Sequence, residues 1–245
     1  MIKVLVTGAR GFLGKEFSAA VNKTPNSKLF TFNRENNIDE LHAMVEESDI
    51  IYHFAGEVRP NSDEAEFERS NVGLTQIIID SIRKAEKAIP IVFASSVHAS
   101  APKNGYGQTK QQAEILLKKY CETSCAKVWV YRLPHMFGPG SKPNHNSAIA
   151  TWMHNLNNDK EIVVYDRNYP MTYCYSLDLM SDLVTHLNER VSAGYELLSP
   201  TTVYNTTLGE VEDTLRSFTE SNNVSVEMSS FKRKLFDTYC SFSRV

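Results

Sequence analysis

The chain has 245 residues, 42% hydrophobic and 22% charged, which is enough to enclose a full core and too apolar for a disordered chain. A formal net charge of −3 excludes a global basic field that would recruit nucleic acid or an anionic membrane. No 18-residue apolar run and no signal-peptide pattern is found, so a cytoplasmic protein with no membrane and no nucleic-acid partner is expected.

In chain order, residues 2–6 read as a strand, 12–22 as a helix, 28–32 as a strand and 38–46 as a helix. A strand at 49–54, a helix at 65–86, a strand at 89–94, a helix at 106–122 and a strand at 127–132 follow. Beyond them come a helix at 147–157, a strand at 162–165 and a helix at 178–189. The tail, Phe231 to Val245, mixes basic and aromatic residues and declares no element. This alternation predicts an α/β fold, a Rossmann-type doubly wound parallel sheet with a small C-terminal substrate-binding lobe. One domain is expected over 1–245, with 1–135 mainly the sheet core and about 136–245 contributing the lobe. The turn-rich run Gly138-Pro139-Gly140-Ser141-Lys142-Pro143-Asn144 marks the exit from the core.

The first strand runs into Gly8-Ala9-Arg10-Gly11-Phe12-Leu13-Gly14 and then into helical sequence. Glycines at that place allow a tight turn and close approach of backbone to a pyrophosphate at the helix N-terminus. The second strand ends Asn33-Arg34 with no carboxylate. An arginine there suits a ribose 2′-phosphate, and Arg10 could reach the same group, so NADP(H) is favoured over NAD. Asn37-Ile38 is a candidate flank for the adenine.

Tyr106 and Lys110 form Y-x-x-x-K, an i,i+4 pair on one helix face. An ammonium beside a phenol would stabilise the phenolate and make Tyr106 a general acid/base. The strand before that helix ends Phe93-Ala94-Ser95-Ser96; Ser96 is the candidate for a substrate carbonyl, with Ser95 as the alternative. Cys121, Cys125, Cys174 and Cys240 fit no CxxC pattern, and His42, His154 and His186 lack ligand spacing, so no metal is expected. His98 and His145 read as solvated loop histidines.

These motifs resemble the extended short-chain dehydrogenase/reductases, the NAD-dependent epimerase/dehydratase family. The matching stretches are Gly8 to Gly14, His53-Phe54-Ala55-Gly56, Asn71-Val72, Ser95-Ser96, Tyr106 with Lys110, Arg132 to Pro139, and Asp178. The resemblance implies a Ser96-Tyr106-Lys110 catalytic group. It also implies cofactor contacts from Gly8, Arg10, Gly11, Phe12, Leu13, Gly14, Arg34, Ile38, Phe54, Ala55, Gly56, Tyr106, Lys110 and Pro134. A narrower similarity is to the reductase halves of bifunctional capsular-polysaccharide enzymes that make UDP-2-acetamido-2,6-dideoxy-L-talose. It is carried by Ala55 to Pro60, Lys142 to Thr151, Asp166-Arg167-Asn168 and Thr207 to Glu210.

The resemblance implies NADPH-dependent reduction of a UDP-linked 4-keto-6-deoxy sugar and a homodimer, with Arg59, His135, Lys142, Asn144, Asn146 and Arg167 as substrate candidates. His135 stands where the family usually has asparagine, and Pro170 where many members have an arginine for the substrate pyrophosphate. Two readings stand beside it: an epimerase or dehydratase retaining NAD, and a non-catalytic NADP-binding sensor or scaffold.

Overall fold

The computed structural model describes residues 1–59, 62–189, 192–220 and 228–242; Pro60, within one of the matching stretches, lies outside them. The elements begin β1 (Ile2–Thr7), α1 (Phe12–Lys23), β2 (Ser27–Phe32), α2 (Ile38–Glu47), β3 (Ile50–His53) and α3 (Glu64–Phe67). A π-helical stretch, Glu68–Gly73, leads into α4 (Leu74–Lys84), β4 (Ile91–Ser96), a 3₁₀ turn (Val97–Ala99), α5 (Gly105–Ser124) and β5 (Lys127–Leu133). Then come β6 (His135–Phe137), α6 (Ala148–Leu156), β7 (Pro170–Tyr175), α7 (Ser176–Thr185), β8 (Gly194–Leu198), β9 (Tyr204–Thr207), α8 (Leu208–Glu220) and α9 (Ser230–Phe242).

The chain divides into two compact units, one from the described residues of 1–133 and 180–200, the other from 134–179 and the described residues after 200. The expectation of one change-over near 135 omits the return of 180–200 to the first unit. The return has a backbone reason: β8 pairs in parallel with β5, from Lys127 opposite Gly194 to Tyr131 opposite Leu198.

In the first unit six parallel strands run in the order β2-β1-β3-β4-β5-β8. The chain steps outward from β1 to β2 and returns on the other side of β1 as β3, creating a crevice where those strands end. The two-residue period of the strands feeds both faces. Leu5, Ile51, Ile91, Phe93, Val128 and Val130 pack with Leu41, Ile78, Ile82 and Leu117. On the opposite face the Phe17 and Tyr52 rings meet at 4.0 Å, and the Tyr52 hydroxyl donates to Leu183 O at 2.9 Å. Being buried on both sides is why these strands read as continuous apolar runs.

The second unit holds a three-stranded sheet, β6-β7-β9, with β7 parallel to β6 and antiparallel to β9. Its core gathers Phe137, Ile149, Met153, Tyr173, Tyr175, Val211, Leu215 and Leu235. The strand expected at 162–165 is corrected to irregular chain. Ile162 is buried and Val164 packs on the core, whereas Val163 and Tyr165 are exposed. That alternation imitates a strand, but among the described residues no strand pairs with it. The helix expected at 65–86 is likewise broken by the π-helical stretch, and the tail contains α9.

Phe137 is fully buried and meets the rings of Tyr173, Tyr175, Tyr204 and Phe231 at 5.3–6.3 Å. Phe137→Ala is expected to cost about 3–5 kcal/mol of stability. Urea unfolding monitored by tyrosine fluorescence measures it, and a loss below about 1 kcal/mol would mean these rings are not the packed centre of the unit.

Candidate active site

The glycine loop sits at the crevice between β1 and β3. Gly8 has φ +71°, and a Cβ there would lie 2.7 Å from Ala55 N; a Cβ on Gly14 would lie 2.1 Å from Gly8 O. Only glycine allows this turn and this approach of helix to strand. Gly11 caps α1 with extended backbone and no side-chain hydrogen bond, and no acid occupies the first turn. The first N–H groups of α1, at Phe12, Leu13 and Gly14, have no carbonyl one turn back, so the loop presents a helix N-terminus to an anion. Phe54, Ala55 and Gly56 follow β3 on the other wall, with the Phe54 ring 5.5 Å from that of Phe17. These features fit a dinucleotide pyrophosphate.

The two arginines expected at a 2′-phosphate both have carboxylate partners. Arg10 pairs with Glu35 at 2.6 Å, and its N–H donates to Asn33 Oδ1 at 2.9 Å. Arg34 reaches Glu57 at 2.8 Å and Glu66 at 3.5 Å. Asn37 is committed to a capping box with Glu40 at the start of α2, and Ile38, the first residue of that helix, is half exposed.

Ser96, Tyr106 and Lys110 come together at the C-terminal end of β4. The Ser95 hydroxyl donates to Glu114, which also takes Arg132 Nε at 3.1 Å and Nη2 at 2.7 Å. Ser95 is therefore held by that carboxylate, and Ser96 is the serine beside Tyr106. Ser96 Oγ accepts from His98 N–H at 3.2 Å, and the His98 ring lies 6.2 Å from that of Tyr106. Lys110 is buried, donates to Ala94 O at 2.8 Å and stands 4.7 Å over the Phe93 ring. Burial lowers its pKa to about 8, against the pull of Glu114.

The expectation that Lys110 depresses the Tyr106 pKa is corrected. Burial raises it, opposed by hydrogen bonding from Ser96, because the phenolate is penalised by desolvation and the ammonium is directed at Ala94.

Residues that the sequence did not single out as functional hold this group in place. Asn71, in the π-helical stretch, accepts from Glu57 N–H at 2.8 Å and donates to Thr109 Oγ1 at 3.0 Å and Glu57 O at 3.2 Å. His53 is buried between Thr7 Oγ1 at 2.7 Å and Thr75 Oγ1 at 3.0 Å. Burial and the Lys110 charge lower its pKa to about 3. Glu114 had a readable signal: Tyr106, Lys110 and Glu114 follow one another at steps of four on α5.

The remaining candidates lie in the second unit, except Arg59, which binds Glu57 in the first. Pro134 opens that unit, and His135 starts β6 with its ring 5.9 Å from Tyr173. Lys142, Asn144 and Asn146 are exposed in the loop before α6; both asparagines adopt positive φ, 55° and 59°, and Asn144 N–H donates to Thr151 Oγ1 at 2.9 Å. Arg167 binds Glu212 and both oxygens of Asp213, at 2.7 and 2.8 Å. Its guanidinium ties the turn before β7 to α8, which stands against the substrate role expected for it. Among the described residues no group of three His, Cys, Asp or Glu could hold a metal, and no helix is long and apolar enough to cross a membrane.

A family model described as the NAD dependent epimerase/dehydratase family matches residues 4–205. UDP-2-acetamido-2,6-beta-L-arabino-hexul-4-ose reductase of Pseudomonas aeruginosa is 33% identical, with 98% of this chain and 65% of that protein covered. The crystal structure of capsular polysaccharide assembling protein CapF from Staphylococcus aureus is 30% identical with a TM-score of 0.85, over 98% of this chain and 65% of that one. The chain thus spans just under two thirds of the length of these relatives. UDP-glucuronic acid 4-epimerase from Bacillus cereus, in complex with NAD, has a TM-score of 0.86 over 99% of both chains at 16% identity, a likeness of fold.

Lys110 makes a pH test of this site. Its pKa falls from 10.5 to about 8 on folding, so between those values the unfolded chain binds more protons and stability rises with pH. Below about pH 8 the full cost of burying the ammonium is present, up to about 3 kcal/mol. The stability of wild type relative to Lys110→Met should therefore climb from pH 8 to 10.5. A flat difference across that window in urea titrations would mean the ammonium is not desolvated.

Proposed function

The chain belongs to the NAD dependent epimerase/dehydratase family, and from that membership we propose that it is an NADPH-dependent reductase of a nucleotide-linked 4-keto-6-deoxy sugar. The substrate class proposed is a UDP-2-acetamido-2,6-dideoxy-4-hexulose, a precursor of bacterial surface polysaccharide. The observation that carries the reaction type is the Ser96-Tyr106 pair at the end of β4, with the phenol held in its protonated form by burial. The sugar class is supported by the 33% identity to a protein named as a hexul-4-ose reductase. Arg34, just after β2 and with no carboxylate ending that strand, supports NADPH.

The glycine loop would hold the cofactor pyrophosphate, and Lys110 the nicotinamide ribose. When bound, the nicotinamide supplies a hydride. Ser96 hydrogen-bonds the substrate carbonyl oxygen and orients it toward Tyr106. As the C–H bond forms and the carbonyl π bond breaks, Tyr106 transfers its proton to the developing alkoxide, completing the alcohol. A phenol with a raised pKa is a neutral donor at the start of this step, as reduction requires.

The test is to incubate the protein with NADPH and UDP-, dTDP- and GDP-linked 4-keto-6-deoxy sugars and follow the nicotinamide absorbance. Turnover with the UDP-amino sugar is expected. Tyr106→Phe should lower kcat by about 10²–10⁴-fold with cofactor affinity retained. Oxidation of NADPH with none of the sugars would sink the assignment, and an unaffected Tyr106→Phe would remove the proposed proton donor.

A further inference from the structure

The segment after β3 contains a carboxylate whose surroundings set it apart from an ordinary surface ion pair. The Glu57 side chain is only 3% exposed. Its Oε1 accepts from the N–H groups of Val58 and Arg59 at 2.9 and 2.8 Å and from Arg59 Nε at 2.9 Å. Its Oε2 accepts from Arg59 Nη2 at 2.6 Å and from Arg34 Nη2 at 2.8 Å. Two guanidiniums thus converge on one buried oxygen, and Arg59 holds the carboxylate well below the usual range. Both arginines remain open outward, 72% and 46% exposed, on the rim of a surface cavity of about 420 Å³.

Arg34 follows β2, the strand whose end faces the adenosine ribose in this fold. Arg10, the other arginine expected there, forms an exposed pair with Glu35 and has no buried group bracing its guanidinium among the described residues. We propose that Arg59 is the second cation of the 2′-phosphate site, paired with Arg34, and that Glu57 is a positioning residue holding the two guanidiniums side by side. This rests on the NADPH reading above. The buried carboxylate is saturated from within, so an incoming phosphate meets the outward N–H donors of two prealigned forks, a geometry guanidinium matches better than ammonium. Two carboxylates also line the cavity: Asp63, whose Oδ1 accepts from the Glu66 N–H at 2.7 Å, and Glu66, 3.5 Å from Arg34 and already bonded by Arg69 and by Ser70 Oγ at 2.8 Å. Arg59 is thereby reassigned from the substrate to the cofactor end of the site.

Calorimetric titration of the whole chain with 2′,5′-ADP and 5′-AMP tests this without turnover. Wild type should prefer 2′,5′-ADP. Arg34→Ala and Arg59→Ala should each lose on the order of tenfold or more of that preference while still binding 5′-AMP, and Arg10→Ala should lose little. Glu57→Gln separates positioning from simple charge. Removing a negative charge should tighten phosphate binding if charge alone matters, whereas loss of alignment weakens it, which is the expected result. If Glu57→Gln fails to fold, as shown by lost 5′-AMP binding, Arg59→Lys carries the claim. A lysine ammonium lacks the planar fork that holds Glu57 on one edge and presents a second edge to a phosphate, so the preference should fall toward that of Arg59→Ala. A preference abolished by Arg34→Ala but intact in Arg59→Ala or Arg59→Lys, or strengthened by Glu57→Gln, overturns the inference and leaves the NADPH reading standing. A wild type that binds the two nucleotides equally overturns both, while sugar reduction with NADH would still support the reductase assignment.

Discussion

A run of buried hydrogen bonds connects the glycine loop to the helix that carries Tyr106, and its direction can be followed from atom to atom. The Thr75 hydroxyl donates to Asn71 O at 2.6 Å, so its oxygen must receive the proton of His53 Nε2. His53 Nδ1 is then the acceptor for Thr7 Oγ1, which itself accepts from Ala55 N–H at 3.3 Å. The tautomer follows from this network, and a pKa near 3 keeps the ring neutral, so it can donate on one side and accept on the other. Asn71 continues the run to Thr109 on α5, and Thr109 bonds back to Gly105 O at 2.9 Å, one residue before Tyr106. Buried polar groups this well satisfied specify one arrangement, since breaking any link leaves a desolvated partner. The π-helical stretch belongs to the same constraint. Its widened turn sets Asn71 within reach of both the Glu57 backbone and α5.

That constraint places α5, and α5 then arranges the charges. Tyr106, Lys110 and Glu114 lie one turn apart on the helix face turned to the end of β4. Glu114 takes Ser95 and Arg132, leaving Ser96 as the hydroxyl next to the phenol. Two adjacent serines therefore have different tasks, divided by one carboxylate four residues beyond the lysine. Burial works on both titratable members of the group, raising the phenol and lowering the ammonium, so each is biased toward its neutral form. A neutral phenol can donate a proton without first acquiring one, which suits the reductive direction.

The central strands β1, β3, β4 and β5 of the first unit were legible because they are buried on both faces, whereas β8, at the sheet edge with no buried residue, was not. The glycine loop and the Tyr106/Lys110 pair were legible because their chemistry depends on local spacing. The second unit was less so: β6, β7 and β9 have three, six and four residues, β7 opens on a proline, and Ile162 to Tyr165 alternates like a strand with no paired strand among the described residues. The choice between Ser95 and Ser96, the roles of His53 and Asn71, and the depressed lysine depend on contacts between residues 14 to 46 positions apart. Such separations exceed the few residues over which helix or strand spacing brings side chains together.

The arginines show why residue type alone is a weak guide to anion sites. Arg10 and Arg34 read as phosphate ligands and Arg59 and Arg167 as substrate contacts, and each has a carboxylate within 2.8 Å. What separates them is where the carboxylate sits. Glu35 and Asp213 are open to solvent, and such exposed pairs contribute little and exchange partners readily. Arg167 is also bound to Glu212, a buried carboxylate shared with Arg216, which fixes it to α8. Glu57 is buried too, but its two arginines face outward from it on the rim of a cavity. A buried carboxylate thus holds two guanidiniums at each place, Arg167 with Arg216 on Glu212 and Arg34 with Arg59 on Glu57. The Glu57 arrangement differs in lining a cavity and in needing two chain segments, after β2 and after β3, brought to one oxygen by the sheet.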